Sequence, residues 1–146
     1  MAYSDRELLA RLIECEAGGE GDNGMRAVAT VVMNRVNATS GEYQRVGQGS
    51  IRNIIYQPYQ FVCASEVENG SYNPQNIYNM NPTDVHYDIA DWAIAGNKLY
   101  GLESALWFYN PFASSCRQSF PSSVGYFHVR IGDHCFYNPT SEYDNT

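Results

Sequence analysis

Basic residues are scarce in this chain, nine Lys and Arg against sixteen Asp and Glu, which leaves a net charge of −7 at pH 7. Polyanions are held by clustered Lys and Arg, so nucleic acid is excluded as a partner, and so is an anionic membrane surface. No apolar run approaches the length that crosses a bilayer. The opening Met1-Ala2-Tyr3-Ser4-Asp5-Arg6-Glu7 has neither a basic n-region nor an apolar h-region. No signal peptide is expected, and synthesis in the cytoplasm follows. Cys15, Cys63, Cys116 and Cys135 form no C-x-x-C pair, which argues against a zinc ribbon or a thioredoxin-like motif. Internal repeats and low-complexity tracts are missing as well.

What is present is enough to build a core. At 146 residues the size prior is one domain, residues 1–146. An apolar fraction of 44% with 14% aromatics excludes disorder. Twelve of those aromatics are Tyr, a residue that fills cores and also lines clefts for sugars or peptides. Cys116 and Cys135 flank an expected hairpin and are the best pair for a bridge. The alternative is four reduced thiols.

Helical periodicity dominates the first half. Asp5 to Glu16 reads as a helix, with Ser4 as N-cap, Glu7 completing a capping box, and Gly18-Gly19 supplying a left-handed stop. A second, buried helix is expected from Gly24 to Val36, capped by Asp22 or Asn23, because its Ala/Val run is apolar nearly all round. Residues 37–49 read as a loop. Ser50 to Tyr56 reads as a short helix with Ile51, Ile54 and Ile55 inward, and 57–81 as a long irregular connection. A further helix starts at Pro82, buries Val85, Ile89, Trp92, Gly96 and Leu99, and ends at Gly101. Strands follow at Ala105–Tyr109, Tyr126–Ile131 and His134–Tyr137, the last two joined at Gly132-Asp133, with a loop over 114–125. The fold class is α+β, helices first and then a small antiparallel sheet.

Glu16 is the anomaly on this map. At about 100° per residue it points along the direction of Leu8, Leu9, Leu12 and Ile13, whereas Glu14 points the opposite way. A carboxyl group on an apolar face is paired, neutral, or at the mouth of a cleft, and partial burial raises its pKa toward that of a general acid. The plain alternative is a frayed helix end in solvent. Glu20 could be a second carboxylate for a two-acid glycosidase, or it could sit at the positive end of the next helix, which the spacing favours. Tyr109 and Asn110 close an aromatic strand, Trp107-Phe108-Tyr109, whose members either stack on sugars or pack inward. Gln60 and Phe61 invite the same two readings. His128 and His134 have no familiar ligand spacing, so no metal and no cofactor is expected. Cys15 and Cys63 default to structural roles.

In this order the motifs are familiar. Glu16-Ala17-Gly18-Gly19-Glu20, Val31-Val32-Met33-Asn34-Arg35-Val36, Ile54 through Phe61, Ala105 through Pro111 and Ile131 through Tyr137 together resemble the spore cortex-lytic cell-wall hydrolases of the SleB/CwlJ type. The stand-alone CwlJ-like branch is the nearer match. Matching stretches run from about residue 7 to 139. The resemblance implies a lysozyme-like, lytic-transglycosylase-like domain that cleaves peptidoglycan glycan strands during germination, with Glu16 as acid and base. It makes Glu20, Gln60, Phe61, Tyr109 and Asn110 groove residues. It also implies spore coat or cortex association and a spore-coat protein partner. Gly18 departs from the pattern, since a larger residue such as Arg is common there. Two other function classes compete: a non-catalytic cortex-binding or coat-assembly module with the same fold, and a metal-dependent amidase using His128 and His134.

Overall fold

The structure, a computed structural model, describes residues 2–118 and 120–145. The Ser4 hydroxyl accepts the Glu7 N–H at 3.1 Å and opens α1 (Asp5–Ala17). The expected return half of the capping box is replaced by an ion pair, because the Glu7 carboxylate accepts from Arg11 Nε at 2.9 Å. Leu8, Leu9, Leu12 and Ile13 are buried as their spacing requires. The chain then turns differently from the expectation. Gly18 keeps right-handed helical angles, and the left-handed residue is Gly21, at φ 80°. Only glycine takes that conformation without strain.

Gly21 also starts α2 (Gly21–Val36), earlier than the sequence suggested. Neither Asp22 nor Asn23 caps it. Glu20 occupies the cap position with no side-chain cap bond, and Asp22 pairs instead with Arg26 at 2.7 Å. The Ala/Val run is buried all round, as its composition requires. Residues 37–49, read as a loop, contain α3 (Gly41–Gly47). Its glycines disguise it in propensity terms, and the buried Tyr43 ring is what fixes it to the core. The short helix α4 (Ile51–Tyr56) buries Ile51, Ile54 and Ile55.

Residues 57–81 are better ordered than their composition suggests. They hold a small hairpin, β1 (Val67–Glu68) with β2 (Ser71–Tyr72). Buried Asn73 organises its base, with Nδ2 at 3.0–3.2 Å from the carbonyls of Val62, Ser65 and Gln75. Arg11 fastens the far end by donating to the Ile77 and Met80 carbonyls at 2.9 and 2.7 Å. Pro82 is not the first helical residue. Thr83 caps α5 (Asp84–Ile94) in a reciprocal box with His86. Its inward face is His86, Ile89, Ala90 and Ala93, so Ile89 is buried as expected, while Val85 is exposed, Trp92 is half-buried, and Gly96 and Leu99 lie beyond its end. Helices α1, α2 and α5 pack on one another around the core.

The sheet comprises β3 (Trp107–Tyr109), β4 (Gly125–Ile131) and β5 (His134–Pro139), antiparallel in the order β3-β5-β4. Ile131 pairs with His134 across the expected two-residue turn, where Gly132 has φ 59°. Residue 119 of the expected 114–125 loop lies outside the described residues. Cys116 and Cys135 are bonded, tying that loop to β5, and Cys15 is bonded to Cys63. Four reduced thiols are therefore not what this structure shows. The second bridge closes a sequence separation of 48, worth roughly 4 kcal/mol in the chain-entropy account.

Two polar residues of α2 set where the sheet begins. Asn34 Nδ2 donates to the carbonyls of Leu102 and Ala105 at 3.0 and 2.9 Å, and Arg35 Nε donates to that of Leu106 at 2.7 Å. Ala105 and Leu106 are thereby held in the core ahead of the strand, so β3 starts at Trp107. Asn34→Ala strips two buried carbonyls of their donor and is expected to cost about 2 kcal/mol. A urea unfolding midpoint lowered without change in slope checks it.

Candidate active site

The end of α1, the turn 18–20, the loop 60–63 and the end of β3 enclose a cleft of about 520 Å³. Glu16 sits in its wall on the last turn of α1, partly exposed and on the side that buries Leu9, Leu12 and Ile13. Burial pushes its carboxyl up to about 7 from an ordinary 4.5. The Arg35 charge and a hydrogen bond from the Cys63 backbone oppose that rise without cancelling it. A carboxylic acid that keeps its proton near neutral pH can deliver it to a leaving group.

Arg35 is buried beneath the site. Its guanidinium lies between the rings of Tyr43 and Phe61, 4.7 and 4.8 Å from their centroids, an arrangement that offsets part of the desolvation cost. Its Nη1 is 3.5 Å from Gln60 Oε1, which also accepts from the Tyr43 hydroxyl at 2.9 Å. That carbonyl is engaged, which holds Gln60 in the cleft wall. The Cys15–Cys63 bridge joins the residue before Glu16 to the loop whose backbone bonds the Glu16 carboxyl.

The structure brings Glu16, Glu20, Gln60, Phe61, Tyr109 and Asn110 to this one cleft. They differ in what else they do. Glu20 stands at the N-terminal end of α2, as the spacing favoured, but its carboxylate is engaged elsewhere: its Oε1 accepts the Asp133 N–H at 2.7 Å and lies 3.5 Å from His134 Nδ1. A Cβ on Gly132 would come within 2.5 Å of the same oxygen, so Glu20 clasps the β4–β5 turn. Burial lowers the His134 pKa, although Glu20 and Asp133 work against that. Phe61 is largely buried, its ring centroid 6.1 Å from that of Phe108. Tyr109 lines the cleft and stacks on Tyr137 at 5.6 Å. Asn110 Oδ1 accepts the Phe112 N–H at 2.8 Å, shaping the rim.

His128 and His134 have separate partners. His128 Nε2 is 2.7 Å from the Gly101 carbonyl oxygen, whereas His134 faces Glu20 and the ring of Phe108. Among the described residues no three His, Cys, Asp or Glu side chains converge as a metal set. Cys15 and Cys63 are bonded to each other, a structural role of the kind expected of them. Sequence reasoning passed over Arg35, Tyr43 and the bridge beside Glu16. The signal for Arg35 was there: Asn34-Arg35 interrupts an otherwise apolar buried helix, and a charge in such a place needs a partner.

A family model described as cell wall hydrolase matches residues 19–137, beginning just beyond Glu16. The chain belongs to the cell wall hydrolase family. This hydrolase is similar to the cell wall hydrolase CwlJ of Bacillus subtilis strain 168, with 30% identity over 139 residues, 95% of this chain and 88% of that protein. It is similar also to CwlJ of Oceanobacillus iheyensis, with 31% identity over 92% of this chain and 86% of that one. Among solved structures, the catalytic domain of the germination-specific lytic transglycosylase SleB from Bacillus anthracis superposes with a TM-score of 0.63 at 25% identity, covering 92% of this chain and 96% of that one. The resemblance read from the motifs and the α+β lytic-transglycosylase-like fold both stand.

Proposed function

We propose that this cell wall hydrolase cleaves the glycan strands of peptidoglycan between N-acetylmuramic acid and N-acetylglucosamine, as a lytic transglycosylase, with Glu16 as its acid and base. The observation that carries the reading is the cleft position of one carboxyl group held at about 7 by burial. Glu16 gives its proton to the glycosidic oxygen as the C1–O bond breaks. The carboxylate so formed then takes the proton of the muramic 6-hydroxyl while that oxygen bonds to C1, closing a 1,6-anhydro ring. The acid is regenerated, and no water is consumed.

One carboxyl suffices for this route, and its neighbours have other work. Glu20 clasps the β4–β5 turn, and Glu14 Oε1 accepts the Asn81 N–H at 3.0 Å. Glu68 is the other carboxylate in the cleft lining, and hydrolysis would require a residue in such a position to activate water. The description of SleB as germination-specific supports the spore cortex as the substrate. Association with cortex and coat, and a coat-protein partner, are part of the same proposal. Mass spectrometry of digested cortex tests it: anhydro-muramic ends are expected, whereas reducing ends would assign hydrolysis instead. Binding to cortex with no released product at all would favour the non-catalytic alternative.

A further inference from the structure

A second cavity, of about 750 Å³, opens beside the catalytic cleft and shares Phe61, Val62 and Glu68 with it. Its chemistry is different. Tyr56, Tyr59 and Tyr78 contribute aromatic surface, Glu66 and Glu68 contribute carboxylates, and none of the lining residues is basic. Neither carboxylate forms an ion pair among the described residues. The Tyr56 and Tyr78 hydroxyls are 3.0 Å apart, which joins two of the rings into one wall. The opposite wall is the β1–β2 hairpin, held in place by Asn73. Tyr59 is fully exposed, yet its backbone is left-handed at φ 67°. That conformation is uncommon for a side chain other than glycine, and burial of the ring does not explain it.

Aromatic faces together with unpaired carboxylates attract an ammonium group. A glycan backbone of N-acetylated sugars carries no cation, but the peptide borne by muramic acid, beside the bond to be cut, carries the amine of its diamino acid. We infer that this cavity takes the ammonium-bearing peptide branch of the strand, so that the enzyme distinguishes peptide-substituted from bare glycan. The inference rests on the glycan-cleaving function proposed above. Continuity through Phe61, Val62 and Glu68 lets one substrate occupy both cavities, the glycan in the cleft and its branch next door.

Initial rates on three strand preparations test this: peptides with free amines, the same strands N-acetylated, and strands stripped of peptide by an amidase. Wild type is expected to show a kcat/KM about fivefold higher on free-amine strands than on acetylated ones. The double variant Tyr59→Ala/Glu66→Gln, changed only at exposed positions, is expected to bring that ratio close to one. Its thermal midpoint should match wild type. Equal wild-type rates on the first two preparations, or an unchanged ratio in the double variant, would overturn the inference. A wild-type rate on stripped strands equal to that on free-amine strands would overturn it too, because the peptide branch would then contribute nothing. A Glu16→Gln enzyme still cleaving at the wild-type rate would instead remove the underlying function.

Discussion

Glu16→Gln is expected to lower peptidoglycan cleavage about 10²–10⁴-fold with the fold intact, because the amide can accept the Cys63 N–H but has no acidic proton to give. The same change should stabilise the protein at alkaline pH. The Glu16 carboxyl titrates at about 7 when folded and near 4.5 otherwise. Since its folded pKa is raised, stability is fully present below 4.5 and falls as pH climbs toward 7, where the unfolded chain releases the proton first. Above pH 7 the wild type carries a deficit of roughly 3 kcal/mol that glutamine avoids. An inactive variant that melts higher than wild type at pH 8, but not at pH 4, is the expected pairing. Equal melting temperatures at both values would mean that Glu16 is not desolvated.

Arg35→Met has the next largest expected effect, and it is mainly on stability. The substitution takes the donor from the Leu106 carbonyl and the cation from between Tyr43 and Phe61. A loss of about 3 kcal/mol in denaturant unfolding is expected. Activity should respond in a different coordinate. Arg35 holds the Glu16 pKa down, so its removal should move the alkaline limb of the rate profile to higher pH. Arg35→Lys keeps the charge but lacks the planar fork. It should therefore lose stability while keeping the limb closer to its wild-type position. An unshifted limb in Arg35→Met would separate Arg35 from the acid.

The helical half of the fold was legible where period and caps agreed. Ser4, the Leu/Ile stripe of α1 and the unbroken Ala/Val run of α2 each state a local rule that packing then obeyed. It was less legible where tertiary contacts decide. Tyr43 makes a helix of a glycine-bounded stretch, and Asn73 orders a segment whose composition reads as coil. The late start of α5 follows from the Thr83–His86 box, which outweighed the proline before it. In the site, Glu16 could be found because it broke a pattern on its own helix. The clasp between Glu20 and the β4–β5 turn could not, since it joins residues 113 positions apart. The residues named by the family motifs meet in one cleft, but that Gln60 and Glu20 also hold its walls together is seen only from their hydrogen-bond partners.

Everything proposed for this hydrolase depends on one proton being present at neutral pH. Carboxyl-carbon NMR titration of the intact protein labelled at glutamate, with Glu16→Gln used to assign the resonance, measures it directly. The Glu16 signal is expected to titrate at about 7. Titration in the ordinary glutamate range near 4.5 would contradict the account, because Glu16 would then be ionised, with no proton to donate, at the pH where it is meant to act.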